Sequence, residues 1–428
     1  MLHDERFPVA IARRLMGLLL VCALLAAWPG GFARAEHTRD EVRAAYAAIS
    51  DWSKDSPYVE FPSPAAPYAP GELTEAARRD ALGMLNFTRW LAGLAPVEES
   101  LLYDFRCQHG AVLLAAVDRL THDAPNPGDM DEDFYESAHQ ATMASNIARF
   151  NWMRPSILRE GVAYFLRDDG EANLGVLGHR RWALNPQMAA TGFGLANSAS
   201  GMSYVVMYAH DGEAADVQWD AVCWPAPGAF PATLMHTNLA WSVTLNPERY
   251  NLPMSSPVVT LTEEVSGLSF SFVPGQTEGG ECFFNFDGYG AGPCLSFRPD
   301  FTGTGFSDYA QNQRWTVRVA DLADSFGFSR TLEYTVEMIS LQAVDVASLE
   351  ISTLELTLAP GEQAQLGADV IPAYADDLSV YWLSGDESVA RVDEDGVVTA
   401  LRPGRCEIIC HSGNGRSDAC VLTVTAEN

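Results

Sequence analysis

The sequence predicts an α+β domain followed by two all-β sandwich domains, and three observations carry that order. Apolar residues recur at helical spacing from about residue 74 to about residue 166. From Thr191 the pattern changes to short alternating runs, and hardly any helical periodicity remains between 215 and 342. Residues 343–428 then hold seven or so short strands in a span of roughly 86 residues, an immunoglobulin-like count.

The chain opens with Arg13 and Arg14 ahead of an unbroken apolar run from Leu15 to Trp28. Pro29-Gly30-Gly31 and the small-residue pattern Ala33-Arg34-Ala35 follow. A basic stretch, a short apolar core and such a site make residues 1–35 a secretory signal peptide cleaved near Ala35. An uncleaved membrane anchor is the competing reading, but the run is short of the roughly 20 residues that a bilayer needs, and no later run reaches that length. The expected address is secreted or cell surface, with no transmembrane segment after cleavage. Residues 36–70 include Phe61-Pro-Ser-Pro-Ala-Ala-Pro-Tyr-Ala-Pro70 and read as a Pro-rich linker or extended arm.

Residues 71–214 form the α+β domain. Thr74 supplies a cap, and Leu82, Leu85, Trp90 and Leu91 mark one helical face. Further helices are expected at about 99–120, 135–149 and 157–166. Gly192-Phe-Gly-Leu195 and Ser203–Tyr208, joined across Asn-Ser-Ala-Ser-Gly201, predict a hairpin. Residues 215–342 alternate in strand fashion at Val258–Thr262, Leu268–Val273, Thr316–Val319 and Leu332–Met338, and residues 343–428 form the last sandwich.

The formal charge is −29. Residues 1–35 carry four basic and two acidic side chains, so the mature chain sits near −31. That sign repels phosphate backbones and excludes nucleic acid as a partner. Seven cysteines follow the leader: Cys107, Cys223, Cys282, Cys294, Cys406, Cys410 and Cys420. Export permits disulfides. Cys282 with Cys294, across a glycine-rich loop, and Cys410 with Cys420, across a polar turn, are the expected pairs; the odd number leaves at least one thiol over. No C-x-x-C pair points to a cysteine zinc site or a redox motif.

The motifs with chemistry lie in the first domain. They are Leu120-Thr-His122, Ser145-Asn146-Ile-Ala148 and Gly178-His179-Arg180-Arg181-Trp182-Ala-Leu184-Asn185-Pro186. His109 is expected to be partly buried within a helix, Trp182 to be core, and Arg180 and Arg181 to make structural ion pairs. With Leu85-Asn86-x-x-Arg89-x-x-x-Gly93-Leu94 and the Gly192-Phe-Gly-Leu strand, these motifs resemble the CAP superfamily, the SCP-like extracellular domain, over residues 71–214. The resemblance implies an α-β-α sandwich whose cleft is lined by two histidines and two acids and holds a divalent metal in several relatives. Carried over by position, the histidines are His122 and His179. Asp168 is the best match to one acid, with Asp169 and Glu171 as near alternatives, and Ser145 stands where the family has Glu. Ser145 and Asn146 are then cleft residues. His122, His179 and Asp168 are the candidate catalytic and metal-ligating set, for zinc or another divalent cation. Zinc sites usually have at least three protein ligands, and a serine hydroxyl replaces a carboxylate poorly. No G-x-S-x-G surrounds Ser145, so a serine nucleophile is disfavoured.

Leu354-x-Leu-x-Leu-x-Pro360-Gly361-Glu362, Trp382-x-Ser384-x-Asp386-x-Ser388-Val389-Ala390, Gly396-Val-Val-Thr399-Ala400 and Pro403-Gly404 resemble the bacterial Ig-like group 2 domain. Through Cys223-Trp-Pro-Ala-Pro and Cys294-x-x-Phe297-Arg-Pro-Asp300, residues 215–342 resemble the all-β segment that accompanies CAP domains in some Gram-positive bacterial proteins. Tyr289, Phe306 and Tyr309 there are candidates for sugar stacking, against a competing role in packing. The expected function is extracellular binding of a glycan, lipid or protein, with a histidine-lined cleft for a metal or small ligand. A metal-dependent hydrolase using His122 and His179, and a structural surface spacer or adhesin, are the alternatives.

Overall fold

The computed structural model describes residues 36–212, 214 and 217–426, so the expected leader lies outside the described residues. Backbone contacts divide the chain into two compact units, ending and starting at Ile339 and Ser340. The expected α+β and middle β regions therefore share one unit. The span read as a Pro-rich linker carries helix α1 (Arg39–Ala48), closed at its start by a capping box between Thr38 and Glu41. The Arg39 guanidinium pairs with Glu337.

Helices α2 (Glu75–Leu91), α3 (Leu101–Val117), α4 (Glu132–Met143), α5 (Ile157–Arg167) and α6 (Gly178–Ala183) follow. Between and after them run strands β1 (Ser145–Phe150), β2 (Phe193–Asn197) and β3 (Ser203–Tyr208), antiparallel in the order β1-β3-β2. Residues 145–149, expected as the end of a helix, are strand. The helix stops at Ala144, and Ser145 to Phe150 pair residue for residue with Tyr208 to Ser203. Sheet pairing overrides local propensity here.

Helices cover both faces of this sheet. Ile147, Ala196, Tyr204 and Val206 join α3 residues Cys107, Ala111 and Leu114 in one core. On the other face Gly161 of α5 meets Val205, where an added Cβ would come within 2.7 Å of that side chain. The free edge of β2 is closed by α3 itself. Phe193 N donates to Asp104 Oδ1 (2.7 Å), and Leu195 N to Gln108 Oε1 (2.9 Å), while Gln108 Nε2 donates to Leu195 O (2.8 Å). Residues four apart on a helix share a face and residues two apart on a strand share an edge, so the two spacings match. His109, expected to be partly buried, is buried (5 % exposed), its ring between Phe105 and Phe134.

Burial raises the Asp104 carboxyl to about 7, and neighbouring Glu99 adds to the rise. The folded state then holds a proton that the unfolded chain has lost, so stability falls as pH climbs from about 4 to about 7. We expect a decline of up to about 4 kcal/mol across that window. Asp104→Asn, which keeps an acceptor for Phe193, should flatten the denaturation midpoint against pH; an unchanged slope would remove Asp104 as its source.

In the rest of this unit, strands β4 (Ala221–Trp224), β5 (Gly228–Pro231), β6 (Trp241–Leu245), β7 (Val258–Glu263), β8 (Ser269–Phe272), β9 (Gly280–Asn285), β10 (Cys294–Pro299), β11 (Arg314–Ala323) and β12 (Ser329–Ile339) form two sheets. Their orders are β9-β10-β6-β4 and β8-β7-β11-β12-β5, with β12 and β5 parallel. Alternation along β7 (Val259, Leu261 and Glu263 inward) and β11 is the period-2 pattern read from the sequence. Trp241, Trp315, Phe297 and Phe272 fill the interior. Tyr309 is part of that filling: it is buried and accepts a hydrogen bond from Trp241 Nε1 (2.8 Å). Phe306 packs on Phe301 and Trp315, which leaves packing as its use. Tyr289 is 38 % exposed and lies over Arg181.

The second unit comprises β13 (Ser348–Ile351), β14 (Glu355–Leu358), β15 (Gln363–Gln365), β16 (Ala368–Ile371), β17 (Val380–Ser384), β18 (Ala390–Val392), β19 (Val397–Ala400), β20 (Gly404–Ser412) and β21 (Ser417–Val424). Its main sheet runs β14-β21-β20-β17, faced by β15-β19-β18 and the pair β13-β16. Trp382, Val398, Ile408 and Leu422 lie in the core between them.

Both expected disulfides are absent, and register explains why. Cys282 pairs with Phe297 and Cys294 with Asn285, so the two cysteines sit three positions out of register and point to opposite faces of their sheet. Cys410 faces Asp418, whereas Cys420 faces Ile408. These two share a face but only diagonally, at a spacing of roughly 7–8 Å between Cα atoms, beyond the usual disulfide reach. None of the seven described cysteines is joined in a disulfide, and all are buried. We expect the folded chain from residue 36 onward to yield no thiol to a disulfide-exchange reagent, and all seven after unfolding. A fast-reacting or missing thiol would contradict this packing.

Candidate functional site

Helix α5 ends on Asp168, a left-handed cap with φ 49° that turns its carboxylate back under the start of α6. The Asp168 side chain is fully buried. Its Oδ1 accepts from His179 Nδ1 (2.9 Å) and from Asn173 Nδ2 (2.8 Å), and its Oδ2 accepts from the Arg180 backbone N–H (3.3 Å). With Nδ1 carrying the proton, His179 keeps a lone pair on Nε2, and its side chain is 23 % exposed. From β1, Asn146 Nδ2 donates to the His179 carbonyl (2.8 Å). The ring stacks on Phe165 at 5.6 Å. An imidazole oriented by a buried carboxylate, with its far nitrogen reachable, is suited to take a proton or ligate a metal. Asp168 orients His179; its own oxygens are engaged and walled off.

His122 lies in the turn between α3 and α4. Its Nδ1–H donates to Thr142 O (2.7 Å), and Thr142 Oγ1 donates back to His122 O (2.7 Å). Here too Nε2 keeps the lone pair. A third imidazole, missed by the sequence reading, stands beside it. His210 N donates to Ala144 O (3.1 Å), and the His210 ring stacks on Trp182 at 4.1 Å. Partial burial, then the neighbouring His122, push the His210 pKa below its ordinary value. Trp182, expected as core, is half-buried and forms the link: it sits one turn beyond His179 on α6. The sequence signal for His210 was its place directly after the alternating strand Ser203–Tyr208, where strand ends carry exposed polar groups.

The remaining candidates do not join this group. Ser145 alternates with Asn146 and faces α3, where its Oγ lies 3.7 Å from Cys107 Sγ. Asp169 is exposed. Glu171 forms a two-pronged ion pair with Arg298 (2.9 and 3.2 Å). Among the described residues no group of three or more His, Cys, Asp and Glu side chains has the geometry to hold a metal ion.

Arg180 and Arg181, expected in ion pairs, are instead satisfied mainly by backbone carbonyls. Arg180 is fully buried and donates to Leu166 O, Arg167 O, Ala240 O and Ser242 Oγ. Burial lowers its pKa to about 10. Arg181 reaches Val176 O, Asn285 Oδ1, Asp287 O and Gly292 O. Arg89 resembles them: its guanidinium donates to the carbonyls of Ala95, Ala183, Asn185 and Met188. These arginines hold α6 in place and, through it, His179.

No helix among the described residues is long and apolar enough to cross a membrane. Comparison with curated proteins finds 36 % identity over 85 residues with a lacto-N-biosidase of Bifidobacterium bifidum, covering 20 % of this chain and 8 % of that one. An uncharacterized protein of Clostridium acetobutylicum is 29 % identical over 101 residues, covering 23 % of this chain and 25 % of the relative. The chain thus spans a quarter or less of these relatives. Among solved structures, an intimin mutant from EHEC O157:H7 is similar at 21 % identity and TM-score 0.16, over 18 % of this chain and 47 % of that one. A GH10 xylanase with a bacterial Ig-like domain from termite gut reaches 26 % identity and TM-score 0.14, over 17 % and 20 %. Each structural likeness is local. The family model that matches is the bacterial Ig-like domain (group 2), over residues 345–423. The protein is multi-domain, mostly β, and its second compact unit is a bacterial Ig-like domain of group 2.

Proposed function

We propose that this protein acts at the cell exterior as a surface adhesin or spacer that engages an extracellular or cell-wall ligand. One observation carries the reading: the group 2 Ig-like match falls on a separate compact unit, residues 340–428, built of paired strands around its own core. Such a unit presents faces and edges without needing a catalytic cleft. The test is exposure on intact cells. Protease added outside should digest the protein while a cytoplasmic marker survives, and deletion of residues 340–428 should lower binding to the native surface fraction at least about tenfold, or roughly 1.4 kcal/mol. Protection equal to that of the cytoplasmic marker would overturn it.

A second reading rests on the Asp168–His179 pair. In it, residues 71–214 are an SCP-like domain whose His122 and His179 hold zinc or another divalent cation for hydrolysis of a peptide or ester. The Nε2 lone pair left on each ring supports this. Asp168→Asn should lower any chelator-sensitive hydrolysis by about 10²-fold, since the amide cannot favour the Nδ1–H tautomer as a carboxylate does. Hydrolysis indifferent to chelator and to this change would exclude the site.

A further inference from the structure

Strand β17 is one of the sheet edges of the second unit among the described residues. Strand β17 pairs with β20 on one side only. Gly385 N donates to Glu407 O (2.8 Å), which fixes the alternation: Leu383 and Tyr381 exchange hydrogen bonds with Ile409 and His411, while the N–H and C=O groups of Val380, Trp382 and Ser384 point outward from the edge. Edges are usually guarded by Lys, Pro or a bulge. None of these occurs within Val380-Tyr-Trp-Leu-Ser384, and the pairing runs without a register shift. The solvent face of the strand is apolar instead. Tyr381 is 50 % and Leu383 49 % exposed, and Tyr381 stacks on His411 at 5.2 Å.

Charge states what kind of strand fits. Residues 340–428 carry fifteen acidic and four basic side chains. Acidic residues bracket the edge, with Asp377 before it and Asp386 and Glu387 after it, all three exposed. Antiparallel pairing with a second copy would set these acids against one another at both ends, so self-association is opposed.

We propose that β17 is a docking edge for an extended segment of a partner protein, apolar on alternate residues and basic at both ends. The partner adds its main-chain hydrogen bonds to Val380, Trp382 and Ser384, lays apolar side chains over Tyr381 and Leu383, and sets its cations beside Asp377, Asp386 and Glu387. This deepens the adhesin reading by naming the partner's chemistry, and it rests on that reading.

The probe is a synthetic decapeptide with alternating Val and Thr, flanked by two Lys at each end, added to the chain of residues 36–428. Saturable binding is expected, at least about tenfold tighter than for a twin with Glu in place of Lys, and weakening as salt rises. Amide exchange should slow at Val380, Trp382 and Ser384. The exposed double variant Tyr381→Thr/Leu383→Thr should keep its fold by circular dichroism and lose at least about tenfold in affinity. Binding indifferent to that variant, protection elsewhere, no binding by about 1 mM peptide, or sedimentation as a dimer would each overturn the proposal. The surface-exposure assay is independent of the peptide, so failure of the edge and failure of the adhesin reading are told apart.

Discussion

Arg180→Met should destabilise the first unit by about 3–5 kcal/mol while leaving the second unit's unfolding unchanged. The Arg180 side chain reaches three carbonyls and a hydroxyl from two places: Leu166 and Arg167 at the end of α5, and Ala240 and Ser242 at the start of β6. Methionine fills the volume but supplies no donor, so buried acceptors lose their partners. Each such orphan costs about 1–3 kcal/mol, and relaxation recovers part of the sum. Arg180→Lys should rescue little, because a single ammonium cannot span acceptors that a planar fork meets. Calorimetry should show the first unit's transition lowered on the order of 10 °C. A drop below about 1 kcal/mol would mean that water replaces the guanidinium.

The same residue explains part of what the sequence concealed. Gly178-His179-Arg180-Arg181 reads as a motif, but nothing in the spacing says that Arg180 reaches residues sixty positions later, or that the α+β region and the middle sandwich consequently share a unit. Long-range pairing leaves no local trace. The period-2 runs of β7, β11 and the Ig-like strands were legible because alternation is local and each strand buries one face. Ser145–Arg149 was misread as helix because β1 is buried on both faces and lacks alternation (only Arg149 is exposed), so periodicity had nothing to detect. The cysteine pairs failed for a related reason. A glycine-rich loop between the first pair and a polar turn between the second were legible, but register decides which residues face each other, and a shift of two or three positions cannot be read from loop length alone.

At the candidate site, the sequence supplied the members joined by a motif and missed those joined by folding. Asp168 and His179 lie eleven positions apart across one tight connection, and they meet. Ser145 and Asn146 were read as one motif, yet strand alternation sends Asn146 to His179 and Ser145 to Cys107. His210 enters only because β3 returns beside β1, which brings its backbone to Ala144.

Gly194→Ala is expected to be the most damaging single methyl in the chain. Helix α3 lies so close to β2 that a Cβ at position 194 would stand 2.0 Å from Cys107 O and 2.7 Å from Gln108 N, both backbone atoms with no rotamer to yield. The helix would have to lift. That movement stretches the bonds from Asp104 to Phe193 and from Gln108 to Leu195, which occupy the otherwise open edge of β2. Overpacking alone costs about 1–3 kcal/mol, and the lost edge bonds add to it, so a loss above about 3 kcal/mol or failure to fold is expected. Gly212→Ala is the matched control: no heavy atom among the described residues lies within 4 Å of its added Cβ, and the change should stay within about 0.5 kcal/mol of zero. If chemical denaturation shows Gly194→Ala as mild as Gly212→Ala, then α3 does not lie against β2 at backbone distance. The edge closure by Asp104 and Gln108, and the packing that holds β1 and β3 beside His210, would fall with it.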